Sequence, residues 1–160
     1  MKKLLTLVLA LTMGVSALFA QEYKQAVGLR IGYDFSLTYK TFVSQENFVD
    51  VGLNLAPFGG SFGITAYALY DWNFDIPQVD GLSWYVGPGA SVGLHSHSFY
   101  VSVNGQIGLE YKFNNAPVAI FVDYAPGIYL GVVGAEGDTG SKLSLGFAST
   151  FGGLGVRYTF

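Results

Sequence analysis

Apolar residues alternate with small or polar residues along most of this chain, and short polar turns separate the alternating stretches. A period of two predicts β-strands with one apolar face. Residues 99–113 show it most clearly, with one face formed by Val101, Val103, Gly105, Ile107, Leu109, Tyr111 and Phe113. We predict eight strands, at residues 25–33, 36–43, 48–56, 61–72, 82–94, 99–113, 118–130 and 142–160, joined in sequence order as an antiparallel meander.

Three local features refine this prediction. Pro88 cannot donate to a strand ladder, so we expect a bulge or distortion there. The last strand is expected to kink near Gly152 and Gly153. The tight turn at 114–117 predicts the register of its hairpin: Phe113 opposite Val118, Glu110 opposite Phe121 and Gly108 opposite Asp123.

The first twenty residues have the features of an export signal. Lys2 and Lys3 precede an apolar run of about 15 residues, which is short for a membrane-spanning helix of ~20, and Ala20 offers a small residue for cleavage. We therefore predict a secretory signal peptide over 1–20, cleaved after Ala20, and one domain over 21–160.

The composition indicates where such a domain resides. The chain is 51% hydrophobic and 16% aromatic but only 12% charged, about half the charged fraction of a soluble domain. It has no cysteine, which excludes disulfides, thiolate metal sites and lipoprotein acylation, and its net charge of −3 does not favour nucleic-acid binding. We predict an all-β transmembrane barrel whose apolar face meets lipid, because a sheet in lipid must close to pair its backbone groups. A soluble lipocalin-like barrel would reverse the two faces, and the polar face here is too sparse for that.

Charged residues fall on the face predicted to point inward. The cations are Arg30, Lys40, Lys112 and Arg157, and the anions are Asp50, Asp71, Glu110 and Asp123. Buried charges are tolerated when they are paired, so we predict an internal salt-bridge network that plugs the barrel. Gly108 beside Asp123 is expected to leave room for a long side chain such as Arg157.

An even strand number places both termini on one side of the membrane, here the periplasm. The turns at 44–47, 73–81 and 114–117 are then periplasmic, and the connections near 34–35, 57–60, 95–98 and 131–141 are external. External loops are usually the longer ones, and 34–35 and 73–81 depart from that pattern. Two aromatic girdles are expected. The external girdle is Tyr33, Phe35, Phe58, Phe62, Phe99 and Tyr100, and the periplasmic girdle is Phe48, Trp72, Trp84, Tyr111, Phe113, Tyr158 and Phe160.

Two alternatives remain open beside a non-enzymatic role. His95 and His97, with Ser96, Ser98 and an acid from Glu136 or Asp138, could serve a lipid-modifying enzyme, although a polar loop tip explains them more simply. A narrow pore is the second alternative. We expect no catalytic residue, no cofactor and no metal site.

Three segments carry a family resemblance: 28–33 (GLRIGY), 108–113 (GLEYKF) and 153–160 (GLGVRYTF). They resemble strands of the small eight-stranded outer-membrane barrels of the OmpA/OmpX type in Gram-negative bacteria. The resemblance implies insertion by the barrel assembly machinery, which would recognise Tyr158 and Phe160, and a location in the outer membrane, in contact with its lipid, after export through the periplasm. Separately from the resemblance, we expect a monomer with no peptidoglycan-binding domain after the last strand. Members are structural, adhesive or lipid-modifying, and we expect a structural or surface-interaction role here.

Overall fold

The eight predicted strands form a closed antiparallel barrel in which each strand pairs with its neighbours in sequence and β8 pairs with β1. The computed structural model describes residues 23–56, 63–95, 98–133 and 142–160. The strands are β1 Gln25–Gly32, β2 Phe35–Phe42, β3 Asn47–Ala56, β4 Gly63–Asp75, β5 Leu82–His95, β6 Ser98–Lys112, β7 Val118–Val133 and β8 Lys142–Thr159. The predicted fold class, an all-β meander barrel of eight strands, is confirmed.

Most strand ends fall within a residue or two of the prediction, because alternation and turn residues mark them well. The largest differences lie where a strand continues into a predicted loop. β4 runs on to Asp75, and its last residues pair with β5 from Ser83 to Tyr85. β7 likewise continues to Val133.

The register of the β6–β7 hairpin is as predicted. Gly108 lies opposite Asp123 and Glu110 opposite Phe121, and the Phe113 N–H donates to the Val118 carbonyl over 3.0 Å. The turn fixes this register, since a shift of one residue would place the apolar set inside the barrel.

Two irregularities interrupt the ladders near predicted positions. The β4–β5 pairing lapses between the Leu69–Gly89 and Trp72–Val86 pairs, next to Pro88. The β7–β8 register shifts between Ala125 and Pro126. This bulge lies just before Gly152, where a kink was expected, and Pro126 explains it because proline lacks the N–H of a regular ladder.

Inward and outward side chains separate cleanly along each strand. The outward positions are apolar and exposed, and Ile31, Val103 and Leu154 are each at least 65% exposed. The interior holds charged residues with a few rings, among them Tyr67 and Phe151 with centroids 4.5 Å apart.

Two aromatic residues were assigned wrongly to the girdles. Phe48 is completely buried in the interior. Tyr100 lies inside the wall, where its hydroxyl bonds to that of Thr65. Each of the two lies an even number of residues from inward-facing residues on its own strand. The alternation itself therefore predicts that both point inward. Phe58 and Phe62 lie outside the described residues.

Strand length increases steadily around the barrel, from 8 residues in β1 and β2 to 18 in β8. At the rim that holds residues 24–25 and 159–160 the strand ends lie level with one another, and this rim is called the level end below. The opposite rim rises from β1 to β8, because the strands become longer in that order. β1 meets β8 only from Ala26–Thr159 to Gly32–Gly153. Residues 142–151 therefore have no partner strand on the β1 side within the described chain. This segment is called the open β8 edge below.

Candidate functional site: the charged interior

The middle of the barrel holds most of the charged side chains predicted to point inward. Arg30, Lys40 and Arg157 are completely buried. They come from β1, β2 and β8, three consecutive strands around the β8–β1 seam. The carboxylates that they meet come from β3, β6 and β7, so the contacts cross the lumen.

Arg157 binds two carboxylates at once. One guanidinium nitrogen donates to Asp50, and the other donates to Glu110 over 2.7 Å. The guanidinium also stacks over the Phe121 ring at 3.8 Å from its centroid. A planar fork with several donors suits this bridging position better than an ammonium group does.

Lys40 belongs to the same group of charges as Arg157, because it also binds Glu110. Its Nζ lies 2.8 Å from Glu110 Oε1 and 3.9 Å from the centroid of the Phe48 ring. The Tyr23 hydroxyl donates to the same Glu110 oxygen. Glu110 thus accepts from three donors, which satisfies a charge that would otherwise be costly to bury.

Arg30 forms a second centre nearer the other rim. It donates to Asp123 over 3.0 Å, to Ser36 Oγ over 3.0 Å and to Asn54 Oδ1 over 3.2 Å. The Phe151 ring lies 4.0 Å from the guanidinium carbon. Asp123 also accepts from Gln106 over 2.9 Å.

The structure separates two residues that the sequence grouped with this network. Lys112 lies at the end of β6, and its Nζ donates to the backbone carbonyls of Phe113 (2.7 Å) and Ala116 (3.0 Å). Asp71 is completely buried, yet neither carboxylate oxygen has a hydrogen-bond partner among the described residues.

The suggestion that Arg157 reaches Asp123 is wrong. Gly108 does leave space beside Asp123, but the Tyr85 ring fills it: a Cβ on Gly108 would overlap the end of that ring. Asp123 pairs with Arg30 instead. Sequence reasoning missed the neutral members Tyr23, Ser36, Asn54, Tyr85 and Gln106. The inward parity of all but Tyr23, which precedes β1, was a signal that could have found them.

Two groups at the ends of the barrel have shifted pKa values. Burial raises the pKa of the Asp34 carboxyl in the β1–β2 turn, and the nearby Arg30 charge opposes this rise. Asp34 also accepts from Ser36 over 3.0 Å. Burial and the Glu110 carboxylate raise the pKa of the Tyr23 phenol well above its ordinary value, so Tyr23 remains a hydrogen-bond donor.

A cavity of about 530 Å³ lies at the level end, under the loop between β4 and β5. Glu110 and Lys112 line its inner side and Asp75 and Asp80 its loop side. Asp80 accepts from the Asn114 amide over 2.5 Å. The loop and the β6–β7 turn thereby narrow this end of the barrel.

The histidine cluster lies largely outside the described residues, as do Ser96, His97, Glu136, Asp138 and the predicted signal peptide. His95 is the last residue of β5 and pairs with Ser98, the first of β6. No group of three His, Cys, Asp or Glu residues that could hold a metal ion occurs in the described ranges. Over the same ranges, no helix is long and apolar enough to cross a membrane.

The chemical role that this interior supports is structural: it fills the lumen and holds the strands of the barrel together. In the described part of the chain, four ion pairs and the rings of Phe48, Tyr85, Phe121 and Phe151 occupy the space between the walls. Comparisons of the chain with protein-family models, with curated proteins and with solved structures found no match.

Proposed function

We propose that this protein is an integral outer-membrane barrel with a structural or surface-interaction role. The observation that carries the proposal is the reversed distribution of its side chains. The outer wall is apolar on every strand, while arginine, lysine and carboxylate side chains are inside. Water as the surrounding solvent would favour the opposite arrangement, whereas lipid favours this one.

Aromatic residues at the level end support the same proposal. Outward-facing rings form three pairs there: Phe74–Trp84 is stacked, Tyr111–Phe113 is edge-to-face and Tyr158–Phe160 is tilted. Amphipathic rings concentrate where lipid meets water. This end would face the periplasm, and Tyr158 and Phe160 would form the signal read by the assembly machinery. The composition and short motifs that resemble OmpA/OmpX-type barrels fit this location.

Strand lengths suggest what lies beyond the membrane. A tilted strand needs about 9–11 residues to cross a bilayer. β1 and β2, with 8 residues each, fall just short of this length, while β6, β7 and β8, with 15, 16 and 18 residues, exceed it. If the level end lies at the periplasmic interface, the tall side projects above the external surface by about five or more residues per strand.

The projecting wall ends in the open β8 edge, which supports a surface-interaction role. An unpaired edge offers backbone N–H and C=O groups to another extended strand. Leu143, Leu145 and Phe147 point outward beside this edge and are at least 71% exposed. We propose that a partner with an extended segment pairs here, while the barrel itself remains a monomer in the membrane.

The membrane location is tested by fractionation and gel mobility. The outer-membrane fraction is run with and without boiling and probed for this chain. A barrel closed by its own ladder resists detergent at room temperature, so we expect a mobility shift on boiling. Recovery of the chain in the soluble periplasm, without a shift, would overturn the proposal.

The surface role needs its own experiment. Vesicles carrying the purified barrel are mixed with a labelled synthetic peptide of alternating valine and threonine residues, which favours the extended conformation, and binding is measured by fluorescence anisotropy. We expect binding to the wild type and its loss in a Leu145→Lys, Phe147→Lys double variant. Val103→Lys is the matched control, because Val103 is exposed on the outer wall but has paired strands on both sides. Equal binding by all three barrels, or no binding to the wild type, argues against the β8 edge as the contact.

A further inference from the structure

One carboxylate in the interior differs from all the others. Asp71 on β4 is completely buried, and neither of its oxygens has a hydrogen-bond partner among the described residues. Asp50, Glu110 and Asp123 each receive at least one charged donor. An ionised carboxylate without a partner is costly to bury, and such a group commonly becomes neutral instead.

Among the residues that the structure describes, none gives Asp71 an ion pair. Its cross-strand neighbour on β3 is Phe48. On the β5 side it lies against Gly87, where an added Cβ would stand 2.7 Å from Asp71 Oδ1. Lys40 approaches this region, but its Nζ lies over the Phe48 ring and is paired with Glu110.

The cations that act on Asp71 from other strands already form ion pairs with other carboxylates. Asp50 and Asp123 repel a negative charge there, and Lys40 and Arg157 attract it. Both cations are bound to other carboxylates. The titratable groups that face the shared interior are Arg30 on β1, Lys40 on β2, Asp50 on β3, Tyr67 on β4, Tyr85 on β5, Glu110 on β6, Asp123 on β7, Arg157 on β8 and Tyr23 before β1.

The ion pairs among these groups balance without Asp71. Three buried cations, Arg30, Lys40 and Arg157, match Asp50, Glu110 and Asp123. Asp71 would be a fourth carboxylate in the strand interior, and Asp34 lies apart in the β1–β2 turn. A proton is the positive charge that fits beside Phe48 and Gly87, because it needs no further ligand.

We propose that Asp71 is a proton-binding site of the folded barrel, which holds its proton at neutral pH and so keeps the interior charges balanced. The inference rests on the closed barrel alone and does not depend on the proposed membrane location. Since the unfolded chain exposes this aspartate with an ordinary pKa of about 3.9, folding takes up one proton above that pH.

The sign of the resulting pH dependence follows from this proton uptake. The folded state binds one more proton than the unfolded state, so the stabilisation from Asp71 is complete below about pH 4 and is lost as pH rises. Over the pH range in which the folded barrel keeps this proton and the unfolded chain has lost it, Asp71 should increase the unfolding equilibrium constant about tenfold per pH unit. Removal of the proton leaves an unpaired negative charge inside the plug.

The test compares the full-length barrel in detergent micelles with its Asp71→Asn variant, which mimics a neutral aspartic acid. Urea unfolding is measured from about pH 5 to pH 8, and the ratio of the two unfolding constants is plotted against pH. Contributions from all other groups cancel in this ratio. We expect the ratio of wild type to variant to rise about tenfold per pH unit. Parallel curves would overturn the proposal.

Asp123→Asn is the matched control, because Asp123 is equally enclosed but is paired with Arg30. This variant should be less stable at every pH and should keep the wild-type slope. Infrared spectra of the wild type give a second readout that needs no variant. A protonated carboxyl C=O band should appear at neutral pH, shift with ¹³C-carboxyl aspartate labelling, and disappear in Asp71→Asn. Its absence from the wild type would exclude the bound proton.

Discussion

Arg157 on β8 lies directly opposite Gly28 on β1, at the seam that closes the barrel. Its Cγ occupies the space that a side chain at position 28 would need, 2.6 Å from an ideal Cβ. Because Gly28 has no side chain, Arg157 can lie across β1 and reach Asp50 and Glu110 on the far wall. The closing seam and the plug therefore depend on the same pair of residues.

Gly28→Ala should destabilise the barrel by about 1–3 kcal/mol, the usual cost of overpacking. The new methyl group would meet the Arg157 side chain and the Val156 carbonyl, 2.5 Å away, and backbone cannot move aside easily. Urea unfolding in detergent measures the change. Gly105→Ala is the control, since a Cβ there has no atom within 4 Å and should leave the midpoint nearly unchanged. Equal losses in both variants would show that the seam contact is unimportant.

Arg157→Ala should lower the free energy of unfolding by about 3–5 kcal/mol, because Asp50 is left with a buried and unpaired charge. Glu110 keeps Lys40 and Tyr23 and should suffer less. The Arg157→Ala, Asp50→Asn double variant removes the stranded charge and should recover part of the loss. An unchanged midpoint in the single variant contradicts the network as a source of stability.

Tyr23→Phe should cost about 1.5–3 kcal/mol, the range for a hydrogen bond to a charged acceptor. The change removes the donor to Glu110 but keeps the ring that packs edge-on against Phe42, 5.3 Å between centroids. Thermal unfolding followed by gel mobility gives the comparison. Tyr33→Phe, at a position 68% exposed, is the control and should behave like the wild type.

The wild-type barrel should conduct no ions in planar bilayers. Arg157 spans the lumen between Asp50 and Glu110, and the Phe121 and Phe151 rings lie against the two arginines. Single-channel recordings at several voltages check this expectation. Reproducible current steps from the wild type would favour the narrow-pore alternative over a plugged barrel.

Most of the wall could be predicted from sequence because period-two alternation and short turns act locally. The β6–β7 register follows from one turn, and Pro88 marks an interruption of the neighbouring ladder. The same parity predicts that Phe48 and Tyr100 point inward. Their assignment to girdles failed because it followed residue type and not parity.

The partners inside the lumen could not be predicted in this way. Arg30 and Asp123 are 93 residues apart and meet across the barrel, so their pairing depends on how far the strands are staggered around the full circle. That stagger is fixed only when β8 joins β1. The sequence therefore predicts which charges point inward. It does not predict that Asp71 lacks a partner among the described residues, or that Lys112 bonds to backbone carbonyls.

The rising rim also bears on how the chain reaches its closed form. Seven hairpin ladders join neighbours in sequence and grow to sixteen residue pairs between β7 and β8, whereas the β1–β8 ladder has seven pairs and joins the two ends of the domain. Loop-closure entropy falls almost wholly on that last, short ladder. Contacts of such sequence separation form slowly, so the rate of folding should be set by the meeting of β1 with the lower half of β8. The upper half can form early as part of a long, local hairpin.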